Sequence, residues 1–346
     1  MFSLAVKLAA VLLFGDIQAD RLSERERAIW MHYRHAVVTL YQGDRATGVA
    51  ALIDDSGYFV THNMSVTGTT VDGKSLDGKQ IPFNVVSRDS ATQLVLLKTS
   101  KWVPGTAKPF RMPTEAEEEG GSLIAVLPTG PIRAAYVSKN RLGVLNPSRR
   151  LVPLTEIRFE ASPQAVGGAL IFCENGELIG TLNATLERPD MFGGNSNQSQ
   201  QGGPNQGGIQ FGQGIIQVNP PPSILLNQGP AEMTVAYTVG AQVIQHTLEG
   251  FLSPDHEAAY ASLGVFCTDA IGGGALIQKV TPGSPAYKSK LQPGDVIANI
   301  QFNEITDQVA FARVMLQQSV GKKITLVIKR GHSTLYVDII PAKAAN

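Results

Sequence analysis

The strongest constraint on this chain is a train of short apolar segments, closely spaced and broken by turn residues. Residues 36–41, 48–53, 58–61, 81–86 and 94–98 are rich in Val, Leu, Ile and aromatic side chains, which suit a pleated, half-buried surface. Asp54-Asp55-Ser56-Gly57, between the second and third, supplies the small polar residues of a tight hairpin, and Asp72-Gly73 and Asp77-Gly78 read as further turns. A second set follows at 122–127, 134–138, 141–145, 154–159, 169–172 and 178–183. Strands of this length and spacing predict an antiparallel barrel or sandwich, and 35 glycines and 20 prolines suit its many turns.

At 346 residues the chain has room for two or three domains, each with its own core. Its 29 basic and 29 acidic residues cancel, so net charge gives no reason to expect nucleic acid or an anionic surface as partner. Cys173 and Cys267 fall in different predicted domains, which excludes a disulfide framework and a paired-Cys metal site. Each reads as an inert buried thiol, with a bridge between domains left open for an oxidising compartment. His32, His35, His246, His256 and His332 lack ligand spacing, and no Gly-rich stretch ends in the Lys-Ser or Lys-Thr of a phosphate loop. No metal or cofactor is expected.

Residues 1–19 hold a short apolar run interrupted by Lys7 and end on Ala19, which reads as a signal peptide; an uncleaved anchor or a packed first helix are the alternatives. Ser23 and Glu26 then fit a capping box opening a helix within 21–33, with a solvated charged face and with Trp30 and Tyr33 available for association. The acidic stretch 114–121 reads as a surface turn without function. Residues 190–213 turn abruptly to Gly, Asn, Gln and Ser, too little apolar surface to offset chain entropy, and predict a disordered loop.

Three segments bear on chemistry. Gly57-Tyr58-Phe59-Val60-Thr61-His62-Asn63 runs into Met64; Leu94-Val95-Leu96-Leu97-Lys98 is preceded by Gln93; and Val166-Gly167-Gly168 leads into an apolar strand followed by Glu174-Asn175-Gly176-Glu177-Leu178-Ile179-Gly180. Together they resemble the trypsin-like serine proteases of the HtrA (Deg) family. That resemblance implies a catalytic histidine, aspartate and serine at positions 64, 93 and 166, which here are Met64, Gln93 and Val166. Acyl transfer needs a hydroxyl, an imidazole to take its proton and a carboxylate to hold the imidazole's tautomer, and a thioether, an amide and an isopropyl group supply none of these. His62, Ser65, Ser162 and Asp89 are the neighbours that could stand in, at the cost of new geometry at every corner. The family's glycine two before the serine is Gln164, which puts the oxyanion hole in doubt. Residues 211–220 resemble the last protease strand and the start of the closing helix, so the 190–213 loop is read as an insertion.

Residues 261–266, 274–286 and 291–300 resemble a PDZ domain of the HtrA type, with 307–319 as its groove helix and 324–329 and 334–339 closing its sheet. The resemblance implies capture of a peptide C-terminus at the loop Ser262-Leu263-Gly264-Val265, with Leu263 and Val265 forming the pocket for the terminal side chain, and addition of the peptide as a strand.

The expected fold is therefore mainly β: a trypsin-like double β-barrel followed by an α+β PDZ domain. The boundaries read as a leader at 1–19, a pseudoprotease domain at 20–230, a connector at 231–254 and the PDZ domain at 255–346. The expected function is that of an exported, proteolytically inactive HtrA-like protein, periplasmic or secreted. Through its PDZ domain it would bind peptide C-termini or unfolded segments, as scaffold, chaperone-like or regulatory subunit in protein quality control. Active HtrA-type relatives are candidate partners, and the resemblance implies a homo-oligomer, a trimer. The alternatives are a serine-type endopeptidase with a non-standard catalytic set and a purely structural subunit.

Overall fold

The capping box read from sequence opens the first helix, α1 (Glu24–Tyr33). Ser23 Oγ accepts from the Glu26 amide at 3.3 Å, and the Glu26 carboxylate accepts from the Ser23 amide at 2.7 Å. In this computed structural model the described residues are 22–112, 122–145, 150–160, 168–173, 175–182, 215–217 and 233–344. The leader at 1–19, the acidic stretch 114–121, the loop at 190–213, and Ser162, Gln164 and Val166 lie outside them. The charged face of α1 is not simply solvated, because Glu26 is buried and pairs with Arg133 at 3.2 Å. Trp30 and Tyr33 are core residues rather than association surfaces. Tyr33 stacks on Phe110 at 4.8 Å between centroids, and Phe110 meets Phe172, so the helix wedges into the seam between the two halves of the domain.

The first half is a closed barrel of β1 (Val37–Gln42), β2 (Arg45–Asp54), β3 (Tyr58–His62), β4 (Thr70–Ser75), β5 (Gln80–Arg88) and β6 (Leu94–Lys98), in the order β1-β2-β3-β6-β5-β4. Inward residues such as Leu40, Leu52, Phe59, Phe83 and Leu96 fill it. The Asp54–Gly57 turn forms as read, with the Gly57 amide donating to Asp54 O and φ at +95°. Asp72-Gly73 does not turn. It lies inside β4, paired to β1 and β5, and a Cβ on Gly73 would stand 2.6 Å from the Phe83 ring and 2.7 Å from Val38. The glycine is there for close packing.

The second half contains β7 (Ser122–Leu127), β8 (Gly130–Leu145), β9 (Arg150–Glu160), β10 (Leu170–Cys173), β11 (Leu178–Thr181), β12 (Ile215–Gln217) and β13 (Met233–Val239), in the order β11-β10-β7-β8-β9-β13 with β12 on β8. Its two ends approach each other: a Cβ on Gly180 of β11 would stand 2.3 Å from Thr238 Oγ1 of β13. The segments at 134–138 and 141–145 are one long strand carrying two register shifts. The closing elements differ from the sequence reading. Of residues 211–220 only 215–217 are described, and they form β12, parallel to Leu142–Val144; β13 pairs antiparallel along β9 through all seven residues and is followed by helix α2 (Ala241–Phe251). Within the segment read as a connector, 231–254, β13 therefore extends the second sheet along the β9 edge.

The remaining elements are β14 (Ala261–Ser262), β15 (Val265–Asp269), β16 (Ala275–Val280), α3 (Pro285–Lys288), β17 (Val296–Ile300), β18 (Asn303–Glu304), α4 (Gln308–Leu316), β19 (Ile324–Arg330), β20 (Ser333–Ile339) and β21 (Ala342–Lys343). The sheet runs β15-β16-β17-β19-β20 over a core of Ile277, Ile297, Leu326 and Ile328, with β14 pairing β21. Asp295, buried, is held bidentately by Arg330 at 2.6 and 2.7 Å. Both cysteines are free thiols; burial raises both, Cys267 to about 12. Among the described residues no helix is long and apolar enough to cross a membrane.

Candidate functional sites: a cleft and a groove

The cleft is built where β3 ends and β6 begins. β3 runs into a 3-10 turn, Asn63–Ser65, that carries Met64, and the Asn63 amide donates to Gln93 O at 2.7 Å. Two of the three expected triad positions are thereby neighbours. Gln93 sits at φ +62°, a left-handed conformation that a non-glycine residue adopts only under constraint. The constraint is Asp89, whose Oδ2 accepts from the Thr92 amide at 2.7 Å and the Thr92 hydroxyl at 2.6 Å, while its amide donates to Leu94 O. Within this turn Gln93 Nε2 donates to Ser90 O at 2.9 Å, so its amide is folded back on its own loop.

The neighbours that could replace a triad are placed as follows. His62 is buried, and its Nδ1 accepts from the Met64 amide at 3.1 Å, capping the 3-10 turn. Ser65 packs between two glycines: a Cβ on Gly48 would lie 2.0 Å from its Oγ, and one on Gly168 would lie 2.6 Å from it and 3.5 Å from His62 Cβ. Gly168, the second glycine of the pair, at φ +79°, thus lies against the Met64 loop. Ser65 Oγ is buried without a hydrogen-bond partner among the described residues, so no bond joins it to the His62 ring. Asp89 is committed to its own turn and to Tyr260.

The groove lies in the last domain. Gly264 has φ +75°, and a Cβ there would stand 2.3 Å from Ser284 Cβ, so only glycine fits. Around it the loop is tied down: Leu263 O accepts from the Ala286 amide, Gly264 O from the Thr281 amide, and the Gly264 amide donates to Ser262 Oγ at 3.2 Å. Leu263 is buried and Val265 packs on the same core. Among the described residues β15 is the end strand of its sheet, paired with β16, and it lies beside α4, which Asp307 caps through the Ala310 amide at 2.7 Å. An unpaired strand edge next to a helix, ending at a fixed glycine loop, is the geometry that a peptide completes as an added strand.

One connection had no signal in the sequence. The Tyr260 hydroxyl donates to Asp89 Oδ2 at 2.8 Å across 171 positions and also meets the Thr247 hydroxyl. Tyr260 lies two residues before Ser262, so the lead into the glycine loop is bonded to the turn that holds Gln93. Tyr58 OH and His256 Nε2, 3.3 Å apart, bridge the same seam.

A closed barrel and a curled second sheet with a cleft at their seam, followed by a domain with a free-edged groove, define a two-barrel protease fold joined to a peptide-groove module. Residues 240–340 match the PDZ domain family. Over 335 residues the chain is 23% identical to a probable periplasmic serine endoprotease DegP-like of Hahella chejuensis, covering 93% of this chain and 62% of that protein. Over 68 residues it is 37% identical to the mitochondrial serine protease HTRA2 of Drosophila erecta, covering 20% of this chain and 16% of that one. The chain thus spans less than two thirds of the length of these curated relatives. Its fold is similar to that of the HtrA-type protease AlgW with tripeptide, with a TM-score of 0.63 at 16% identity over 92% of this chain and 97% of that one. Residues 240–340 thus carry a PDZ domain, and the chain as a whole is similar in sequence and in fold to HtrA-type serine proteases.

Proposed function

We propose that this protein is an exported, proteolytically inactive member of the HtrA type that captures peptide C-termini or unfolded segments with its PDZ domain and acts as a scaffold, chaperone-like or regulatory subunit in protein quality control. The observation that carries the reading is the pair at the cleft: Met64 stands where proton transfer needs an imidazole, and Gln93, uncharged, turns its amide onto Ser90 O. Losing the histidine or the serine of such a triad alone removes about six orders of magnitude in rate. Binding is supported by a fixed glycine loop beside a strand that, among the described residues, ends its sheet. The apolar run at 1–19 and the periplasmic relative support export, and association with copies of itself or with active relatives follows from the same kinship.

The test is to incubate the full chain with fluorescent unfolded casein. Casein retained on the protein with no peptides released is the expected result. Release of peptides that stops in Ser65→Ala or Ser162→Ala overturns the reading in favour of a serine endopeptidase with a non-standard catalytic set.

A further inference from the structure

The groove strand has two unlike faces. Val265 and Cys267 turn into the PDZ core, where Cys267 is paired in register with Ile277. Phe266, paired with Lys279, and Thr268, paired with Leu276, lie on the opposite face. The extra residue on β16, Gln278, donates its Nε2 to Thr268 Oγ1 at 2.9 Å, and Lys279 is exposed beside it. A peptide added antiparallel to β15 with its terminus at Gly264 alternates its side chains between these faces. Its terminal residue points toward Leu263 and Val265, and its penultimate residue points toward Phe266 and Lys279.

The other end of the strand carries the opposite charge. Asp269 lies four residues beyond Val265, about 13 Å along a strand at ~3.3 Å per residue. Its Oδ1 accepts from the Gln308 amide at 2.9 Å, which sets it beside Asp307 at the start of α4. Gln308-Val309-Ala310-Phe311-Ala312, the first five residues of the helix wall, add no charge. The rim of the groove therefore runs from basic near the glycine loop to acidic at its far end.

We propose that this gradient selects the ligand: a peptide with an apolar terminal residue, an acidic penultimate residue facing Lys279 and the Phe266 ring, and a basic residue three to four positions upstream facing Asp269 and Asp307. The proposal rests on the peptide-binding reading above and adds the class of peptide. Lys279 and Asp269 are exposed, so these charge contacts set preference more than affinity and are screened by salt.

Fluorescence anisotropy of the full chain with three octapeptides of one apolar terminus tests it: Glu penultimate with Lys upstream, the charge-swapped sequence, and a neutral one. The matched peptide binds about tenfold tighter than the swapped one at low ionic strength, two exposed pairs changing from attraction to repulsion. The gap narrows in high salt, and Lys279→Glu, on the outer face of the sheet, reverses the penultimate preference. Equal affinities for all three, or an order unchanged in Lys279→Glu, overturn the inference and leave peptide binding standing. Failure of all three to bind overturns the peptide-binding reading itself.

Discussion

The cleft and the groove are made of the same parts and have been left in opposite states. Each sets the end of a strand against a glycine in left-handed conformation, Gly168 at φ +79° and Gly264 at φ +75°. Each of those glycines is locked by a neighbour that a Cβ would strike, Ser65 in one and Ser284 in the other. In the cleft the polar side chains are already engaged: Gln93 with Ser90, Asp89 with Thr92 of its own turn and with the distant Tyr260, His62 with the Met64 amide. In the groove the groups proposed to bind are backbone, and among the described residues β15 is the end strand of its sheet. The difference teaches that the packing around Gly168 and Ser65 does not depend on which side chains stand at positions 64 and 93, so on the proposed reading the walls of the site persist without its chemistry. A strand-adding groove, by contrast, is lost only when its backbone geometry is lost.

The largest expected effect on stability is at the seam between the two halves of the protease-like domain. Tyr33→Ala removes the ring stacked on Phe110 and should cost about 3–5 kcal/mol, read as a lowered melting temperature, with peptide affinity unchanged below the melt. Next comes a matched pair that sets the two regions directly against each other. Gly168→Ala and Gly264→Ala each force a side chain into a left-handed, crowded site and should each cost about 1–3 kcal/mol. Only Gly264→Ala should weaken peptide binding, by tenfold or more in anisotropy; equal losses from both would erase the contrast.

Tyr260→Phe is comparable in its cost to stability, leaves the glycine loop itself untouched, and probes the link between the regions. It deletes one of three donors to the buried Asp89 carboxylate and should cost about 1.5–3 kcal/mol by denaturant titration. The smallest effect is on pH dependence. The Thr325 hydroxyl and then the Lys323 ammonium hold the Asp338 carboxyl below its ordinary value of 3.8. A group depressed in the folded state contributes stability above its unfolded value and loses it as pH falls through the lower folded one. Melting temperature should therefore decline more steeply below about pH 4 in the native protein than in Asp338→Asn.

Much of this was legible from residue patterns. Ser23 and Glu26 announced α1 because a capping box is local, and five of the six strands of the first barrel followed from apolar runs between turn residues, β4 being the exception. Where reading failed, tertiary contacts decided. Asp72-Gly73 has the composition of a turn, yet Gly73 is a strand residue because Phe83 and Val38 leave no room for a Cβ. β13 and α2 looked like a connector because nothing local to 233–251 reveals that the β9 edge is waiting for a partner. Trp30 and Tyr33 looked like association residues because the aromatic seam they enter is assembled from positions as distant as Phe110 and Phe172. At the cleft, the substituted identities of Met64 and Gln93 were plain in the sequence. The inward fold of the Gln93 amide and the Tyr260–Asp89 bond were not, since both depend on a backbone turn and a domain contact that no spacing records.

The measurement that bears most directly on the central claim is labelling of the native protein with a fluorophosphonate, a reagent that reacts with serines activated by a neighbouring base, followed by intact mass and peptide mapping. With no imidazole at position 64 and no hydroxyl at position 166, the account predicts an unchanged mass under conditions that saturate an active serine protease. A stoichiometric adduct on Ser65 or Ser162 that disappears in His62→Ala would contradict it and identify a working hydrolase.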